Sequence, residues 1–113
     1  MEFPAPDVAS RRQIWERLLP GAAHSSLTPE DLDELAARFE LTGGSIRNIA
    51  LDACYRALSE MSQRISLRQV IASTAREYQK FGKPVTGGEF GQRFFSWAME
   101  DVVSPRPADV ARA

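Results

Sequence analysis

The stretch of residues 41–51 combines residue types that could bind a phosphate. It reads Leu-Thr-Gly-Gly-Ser-Ile-Arg-Asn-Ile-Ala-Leu. Gly43 and Gly44 release the backbone, Ser45 can cap a helix, and Arg47 then falls in the first turn of that helix. The N–H groups at a helix start lack partners within the helix, and together with a guanidinium they suit an anion such as phosphate.

An arginine in the first turn of a helix is also unfavourable, because that end of the helix carries partial positive charge. Arg47 gives up roughly 0.3–1 kcal/mol that an acidic residue would gain there. A simpler interpretation is that its side chain points into water or pairs with Asp52 or Glu40. On these residues alone the simpler interpretation is favoured. The rest of the sequence is needed to choose between a solvated Arg47 and one that binds phosphate.

The composition is that of a single globular domain. The chain has 113 residues, 43% hydrophobic and 26% charged, which suffices for one core. Fourteen basic residues against fifteen acidic ones give a net charge of −1. The broad basic surface of a dedicated nucleic-acid binder is therefore missing, and nucleic acid is not an expected partner.

Cys54 is the only cysteine, so no disulfide can form within the chain and no cysteine-rich zinc site is available. We expect no metal site, and we expect Cys54 to be a packed apolar residue in a reducing compartment. No apolar run approaches the roughly 20 residues that span a bilayer, and the N-terminus does not have the pattern of a signal peptide. These features predict a cytoplasmic protein with no membrane partner.

Five helices must position the candidate site, and the fold class predicted is all-α. Asp7 caps a first helix that runs to about Leu19 and ends at Pro20-Gly21. A second helix starts at a capping box formed by Thr28 and Asp31, with Pro29 at its first position, and ends before Gly43. The third helix runs from Ser45 to about Ser62.

The fourth helix starts at a second capping box, Ser66 with Gln69, and is closed by Gly82 and Pro84. The fifth runs from about Glu89 to Val103. The glycine-rich sequence before it, residues 86–89, lacks a lysine and a preceding strand and is predicted to be a turn.

Apolar residues recur at helical spacing in every segment, which predicts one buried face per helix. The third helix has small residues along its stripe and is expected to lie at the centre of the bundle. The fifth helix is unusually aromatic, and folding back on its own bundle is favoured over docking elsewhere. The predicted buried faces, in order from the first helix to the fifth, are Val8, Ile14, Trp15, Leu18 and Leu19; Leu32, Leu35, Ala36 and Phe39; Ile46, Ile49, Ala50, Ala53, Cys54, Ala57, Leu58 and Met61; Leu67, Val70, Ile71, Thr74, Tyr78 and Phe81; and Phe90, Phe94, Trp97, Ala98 and Val102.

The chain resembles the C-terminal helical lid of an AAA+ ATPase, a small four-helix bundle, here with an additional C-terminal helix. The resemblance covers residues 3 to about 82. It rests on Phe3-Pro4-Ala5-Pro6-Asp7, Arg11 with Ile14-Trp15, Asp31 to Ala36, Gly43-Gly44-Ser45-Ile46-Arg47-Asn48-Ile49, and Ala53 to Leu58.

The resemblance implies roles for individual residues in binding and sensing ATP. Arg47 occupies the position of the sensor-2 arginine, which reaches the γ-phosphate and acts in catalysis in the intact protein. Gly43, Gly44 and Ser45 would lie beside the adenine and ribose. Ile14, with Leu18 one turn later, would pack on the adenine face, although plain core packing also explains both residues. An arginine at position 47 is typical of the branch of the family that uses sensor 2.

The sequence lacks a phosphate-binding P-loop and a strand that ends in magnesium-binding acids. The resemblance therefore implies a fragment that cannot hydrolyse ATP alone, with Mg²⁺ held by an absent large subdomain and no nucleotide bound tightly by the fragment. We expect a linker from that subdomain at 1–6, the lid at 7–82, a helical extension at 83–103 and a disordered tail at 104–113. The implied partners are the large P-loop subdomain and the neighbouring subunits of a ring, usually a hexamer.

A second hypothesis is a non-enzymatic helical adaptor that binds a partner protein through its aromatic C-terminal helix, with Arg47 an incidental surface residue. Other candidate sites are weaker. His24 is expected to be an exposed loop residue without a catalytic partner. The basic side of the fourth helix is expected to be solvated, and it comprises Arg68, Arg76, Lys80 and Lys83.

Overall fold

The computed structural model of the chain describes residues 6–19 and 25–103. Most of the predicted linker, the stop at Pro20-Gly21, His24 and the predicted tail lie outside the described residues. Five helices are present: α1 (Val8–Leu18), α2 (Pro29–Arg38), α3 (Gly43–Ser59), α4 (Leu67–Lys80) and α5 (Gly87–Val103). The described residues contain no β-strand and only one isolated bridge, between Ser25 and Ile65. The all-α prediction is confirmed.

The predicted caps of α1, α2 and α4 are confirmed. The Asp7 carboxylate accepts from the Ser10 amide at 2.8 Å. At α2 and α4 both capping boxes form, Thr28 with Asp31 and Ser66 with Gln69. These bonds join residues three apart, so the sequence carries the whole signal.

The starts of α3 and α5 differ from the prediction. Thr42, not Ser45, caps α3, and its hydroxyl accepts from the Ser45 amide at 3.1 Å. The predicted turn at residues 86–89 is instead the beginning of α5, where the Thr86 hydroxyl accepts from the Glu89 amide at 3.3 Å. In both places a threonine before two glycines supplies the capping oxygen, and the glycines are the first two helical residues.

The core is centred on α4, not on α3 as predicted. Residues 69–75 of α4 are all buried, and so are Glu77 and Tyr78, whereas α3 is buried along one side only. The predicted α5 face folds back on the bundle, with Phe90, Phe94 and Ala98 fully buried. Phe90 packs edge-on against Phe39 and Tyr78, with ring centroids 4.8 and 5.2 Å apart.

Four residues predicted to be buried are exposed: Val8, Leu58, Met61 and Phe81. Leu58 lies on the outer side of α3, away from its buried stripe. Met61 follows the end of α3 and has a left-handed backbone (φ 58°), so the helical periodicity no longer applies to it. Phe81 is likewise the residue at which α4 ends.

Candidate functional site

The predicted nucleotide-contacting residues of α3 lie at its exposed N-terminal end. Gly43 and Gly44 are the first two helical residues, and their amides have no acceptor within the helix. The Ser45 amide is already bonded to Thr42. Because α3 starts two residues earlier than predicted, Arg47 lies in the second turn rather than the first. It is therefore less affected by the helix dipole than the sequence suggested.

The Arg47 side chain is exposed and forms no ion pair with any described residue. Of the two acids considered as partners, Asp52 accepts from the Arg56 guanidinium at 2.8 Å. Arg47 is thus a surface cation directed away from the core. This placement fits both hypotheses for the residue, a solvated arginine and a ligand for an anion supplied by another part of a larger assembly.

Ile14 lies beside the glycines of α3. A Cβ atom built on Gly43 would be 3.7 Å from the Ile14 Cδ1 atom, an ordinary van der Waals contact. Ile14 and Leu18, one turn apart on α1, are both partly buried and pack against the core. The fold therefore brings Ile14 and Gly43 together at one edge, and a Cβ on Gly44 would meet only the Thr42 hydroxyl, at 3.9 Å.

Arg11 holds α1 in the position at which Ile14 lies beside Gly43 of α3. It is only 6% exposed, its Nε donates to the Ala36 carbonyl at 2.8 Å, and its Nη1 donates to the Pro6 carbonyl at 2.7 Å. One buried guanidinium thus ties the entering chain to α1 and α2. Nearby, the hydrogen bond from Ser10 lowers the pKa of the capping Asp7 carboxyl. Sequence reasoning did not identify the burial of Arg11, although its spacing to Ile14 and Trp15 placed it near the apolar face.

The outer side of α3 is apolar although it faces away from the core. Leu51, Tyr55 and Leu58 are 54%, 66% and 75% exposed. They follow Arg47 at spacings of four, four and three residues, so all four share one side of the helix. We call these four residues the α3 outer face. The three apolar members make this side of α3 an exposed apolar surface.

The other candidate residues have structural explanations. Cys54 is half-buried beside the core. On α4, Arg68 pairs with Glu100, Lys80 pairs with Glu77 at 3.3 Å, and Lys83 of the loop after α4 pairs with Glu89 at 3.6 Å. The described residues hold no cluster of three or more side chains that could bind a metal. None of the described helices has the length and apolarity needed to cross a membrane.

The fold and this edge define a small all-α module. Residues 7–80 match the family model described as the contractile injection system ATPase helical domain. The match covers α1 to α4 and most of the chain, so the protein belongs to this family. No curated protein and no solved structure matches the chain.

Proposed function

We propose that this domain is the nucleotide-sensing lid of an AAA+-type ATPase and that Arg47 is its sensor-2 arginine. The proposal rests on Arg47, which is exposed and has no ion-pair partner among the described residues. Arg47 lies one helical turn from Gly43 and Gly44, on a domain that belongs to a family of ATPase helical domains. An exposed guanidinium held by a well-capped helix can stabilise charge on a γ-phosphate bound elsewhere.

In this proposal the edge between α1 and α3 holds the base and sugar of ATP. Gly43 and Gly44 permit close approach of the ligand, and Ser45 adds a hydroxyl group. Ile14, which lies beside Gly43, and Leu18 one turn later offer apolar surface to the adenine. The phosphates and their Mg²⁺ would be held by a large P-loop subdomain, so the lid alone would bind nucleotide weakly.

The proposed partners are that large subdomain and the neighbouring subunits of a ring, with a hexamer as the expected size. The α3 outer face supports a partner of this kind, because it continues from Arg47 along the same side of α3 and is too apolar for a surface left in water. A single surface would then contact the nucleotide at one end and protein along the rest of its length.

The test is Arg47→Ala in the intact ATPase. Loss of a charge-stabilising group at the reacting phosphate costs about 2–4 kcal/mol in the transition state, so kcat should fall by roughly 10²–10³ while ATP affinity changes little. Arg64→Ala is the matched control, since Arg64 is also exposed and is not ion-paired in the described structure. Unchanged turnover in Arg47→Ala would remove the role assigned to Arg47.

The adaptor predicted from the sequence would bind through the aromatic helix α5, but Phe90 and Phe94 are buried against the bundle. An adaptor that binds through the α3 outer face is therefore the second candidate, and the exposure of that face favours it. An adaptor needs an exposed apolar surface but no particular side chain at position 47. If Arg47→Ala leaves turnover intact while Tyr55→Ser abolishes assembly of the ATPase, the domain acts by protein binding and not by sensing nucleotide.

A further inference from the structure

Helix α5 occupies an aromatic groove between α2 and α4. Phe39, just after α2, and Tyr78 of α4 form the groove and contact Phe90 and Phe94 of α5. All four rings are at most 2% exposed. Because α5 supplies half of this cluster, removing it would leave a large apolar groove open to water.

The groove belongs to the family domain, whereas α5 lies beyond the matched residues 7–80. The two are joined by residues 81–86, which we call the hinge. Five of its six residues are exposed, Gly82 has φ +67°, and Pro84 interrupts any continuation of α4. Phe81 at its start is 71% exposed. The hinge is thus largely a surface connection, in which Val85 alone packs against the core.

The polar contacts at the rim of the groove comprise one partly buried hydrogen bond, from the Tyr78 hydroxyl to Glu89 of α5, and several surface ion pairs. Glu34 of α2 accepts from Arg38 at 3.3 Å and from Arg93 of α5 at 3.4 Å, and both pairs are partly exposed. Arg68 of α4 pairs with Glu100 of α5 at the surface. Exposed pairs of this kind are screened by solvent and stabilise little. Docking of α5 therefore depends on the aromatic side chains that it inserts and on the hydrogen bond from Tyr78 to Glu89.

We propose that α5 is an exchangeable arm, and that the groove between α2 and α4 accepts α5 of a second copy of this chain as well as its own. Every contact of α5 with the groove is reproduced when two copies exchange the helix, so the closed and exchanged forms differ only in the hinge and in the entropy of association. Where copies are held close together, their effective concentration offsets that entropy. Exchange would then link neighbouring copies without creating any new surface.

The length of the hinge provides the test, because it leaves the aromatic side chains of the groove and of α5 unchanged. Six residues span at most about 20 Å, and deleting Lys83-Pro84-Val85 leaves three, which span at most about 10 Å, so closure of α5 onto its own groove should be disfavoured. The deletion also removes the surface pair of Lys83 with Glu89 in both the closed and the exchanged form. We expect this variant to be a folded dimer, with twice the mass of one shortened chain by light scattering. Insertion of six Gly/Ser residues into the hinge should give a monomer at every concentration. The unaltered chain should form a dimer fraction that rises with concentration.

Two controls separate exchange from other association. Adding Phe90→Ala and Phe94→Ala to the shortened chain should abolish the dimer, whereas a dimer formed through another surface would persist and overturn the proposal. A shortened chain that stays folded and monomeric would also overturn it.

If the shortened chain fails to fold, peptide exchange in the full chain decides the question. After cleavage at a protease site placed in the hinge, a labelled peptide of residues 87–103 should replace the resident helix, and a peptide with both alanine substitutions should not. Failure of the labelled peptide to exchange would overturn the proposal. None of these outcomes depends on Arg47 or on nucleotide.

Discussion

Three arginines of this chain, Arg47, Arg56 and Arg11, have different environments. Arg47 is exposed and forms no ion pair with a described residue, whereas Arg56 is only 2% exposed and donates to Asp52. Arg11 is also buried, but it donates to the backbone carbonyls of Pro6 and Ala36 rather than to a carboxylate. A guanidinium with five donors and a rigid plane can join two backbone segments in a way that lysine cannot reproduce.

We predict that Arg11→Met lowers the free energy of unfolding by about 2–4 kcal/mol, because the carbonyls of Ala36 and Pro6 lose their donor in a buried and a partly buried hydrogen bond. Urea unfolding followed by circular dichroism measures the change. Arg12→Met is the matched control on the same helix, since Arg12 pairs with Glu16 and Asp33 at the surface and should contribute less than about 1 kcal/mol. Equal effects of the two substitutions would contradict the role assigned to Arg11.

Tyr78 provides a prediction about alkaline pH. Burial, together with its hydrogen bond to Glu89, raises the pKa of the Tyr78 hydroxyl above its ordinary value of 10.0. The hydroxyl therefore stays neutral in the folded protein at a pH where it ionises in the unfolded chain. Its contribution to stability is fully present below about pH 10 and is lost as the pH rises further.

Tyr78→Phe should cost about 1–3 kcal/mol at pH 7 and should also weaken the fall in stability above pH 10. Unfolding by urea between pH 8 and pH 11 measures both effects. Tyr55→Phe is the control, because Tyr55 is 66% exposed and its removal should leave the pH dependence unchanged. An identical pH profile for Tyr78→Phe and the unaltered protein would refute the assignment.

At the scale of elements, helix starts and helix breaks follow from short-range chemistry. The Thr-Gly-Gly sequence occurs twice, at residues 42–44 and 86–88, and each copy caps a helix. Within α5 the backbone of Gly91 adopts φ +81° and ψ 156°, a region that essentially only glycine occupies. A Cβ atom there would also be 2.7 Å from Nη1 of Arg38. Gly91 therefore breaks α5 at the point where the helix passes α2.

We predict that Gly91→Ala destabilises the protein by about 1–3 kcal/mol, chiefly through backbone strain, since the end of Arg38 can move aside. Gly88→Ala is the matched control in the same helix. A Cβ atom on Gly88 would meet nothing within 4 Å, and its helical backbone suits alanine, so stability should rise by up to about 1 kcal/mol. Thermal unfolding of both variants measures the two changes in stability, which should have opposite signs. Changes of the same sign would contradict this account of Gly91.

At the scale of the whole molecule, the α3 outer face is an apolar surface that the described helices leave uncovered. We predict that Tyr55→Ser and Leu58→Ser change the free energy of unfolding of the isolated chain by less than about 0.5 kcal/mol, since both side chains are largely exposed. In the intact ATPase the same substitutions should weaken assembly and lower ATP turnover.

Gln63→Ala is the control for this face, because Gln63 is exposed but lies outside it. Sedimentation of the intact protein and its ATPase rate provide the two measurements. Full assembly and full turnover with both serine substitutions present would show that the face remains in water.

The sequence was most informative wherever the determining contacts lie within one turn of helix. The capping boxes at Thr28 and Ser66, the all-α class and the aromatic face of α5 were all predicted from spacings of three and four residues. The candidate site was predicted as a set of residues, of which Ile14 and Gly43 do lie beside each other. Their roles toward ATP remain predictions, because they depend on groups outside this domain.

What the sequence by itself determined was therefore local: the helices, most of their caps, and the membership of residues 7–80 in an ATPase helical domain. Only the tertiary structure decided that α4 is the central helix, that Arg11 is buried and that Leu58 is exposed. Amphipathic spacing identifies an apolar side of a helix, but which side is covered depends on helices that are distant in sequence. The burial of a charge depends equally on distant partners, as the bond from Arg11 to Ala36 shows.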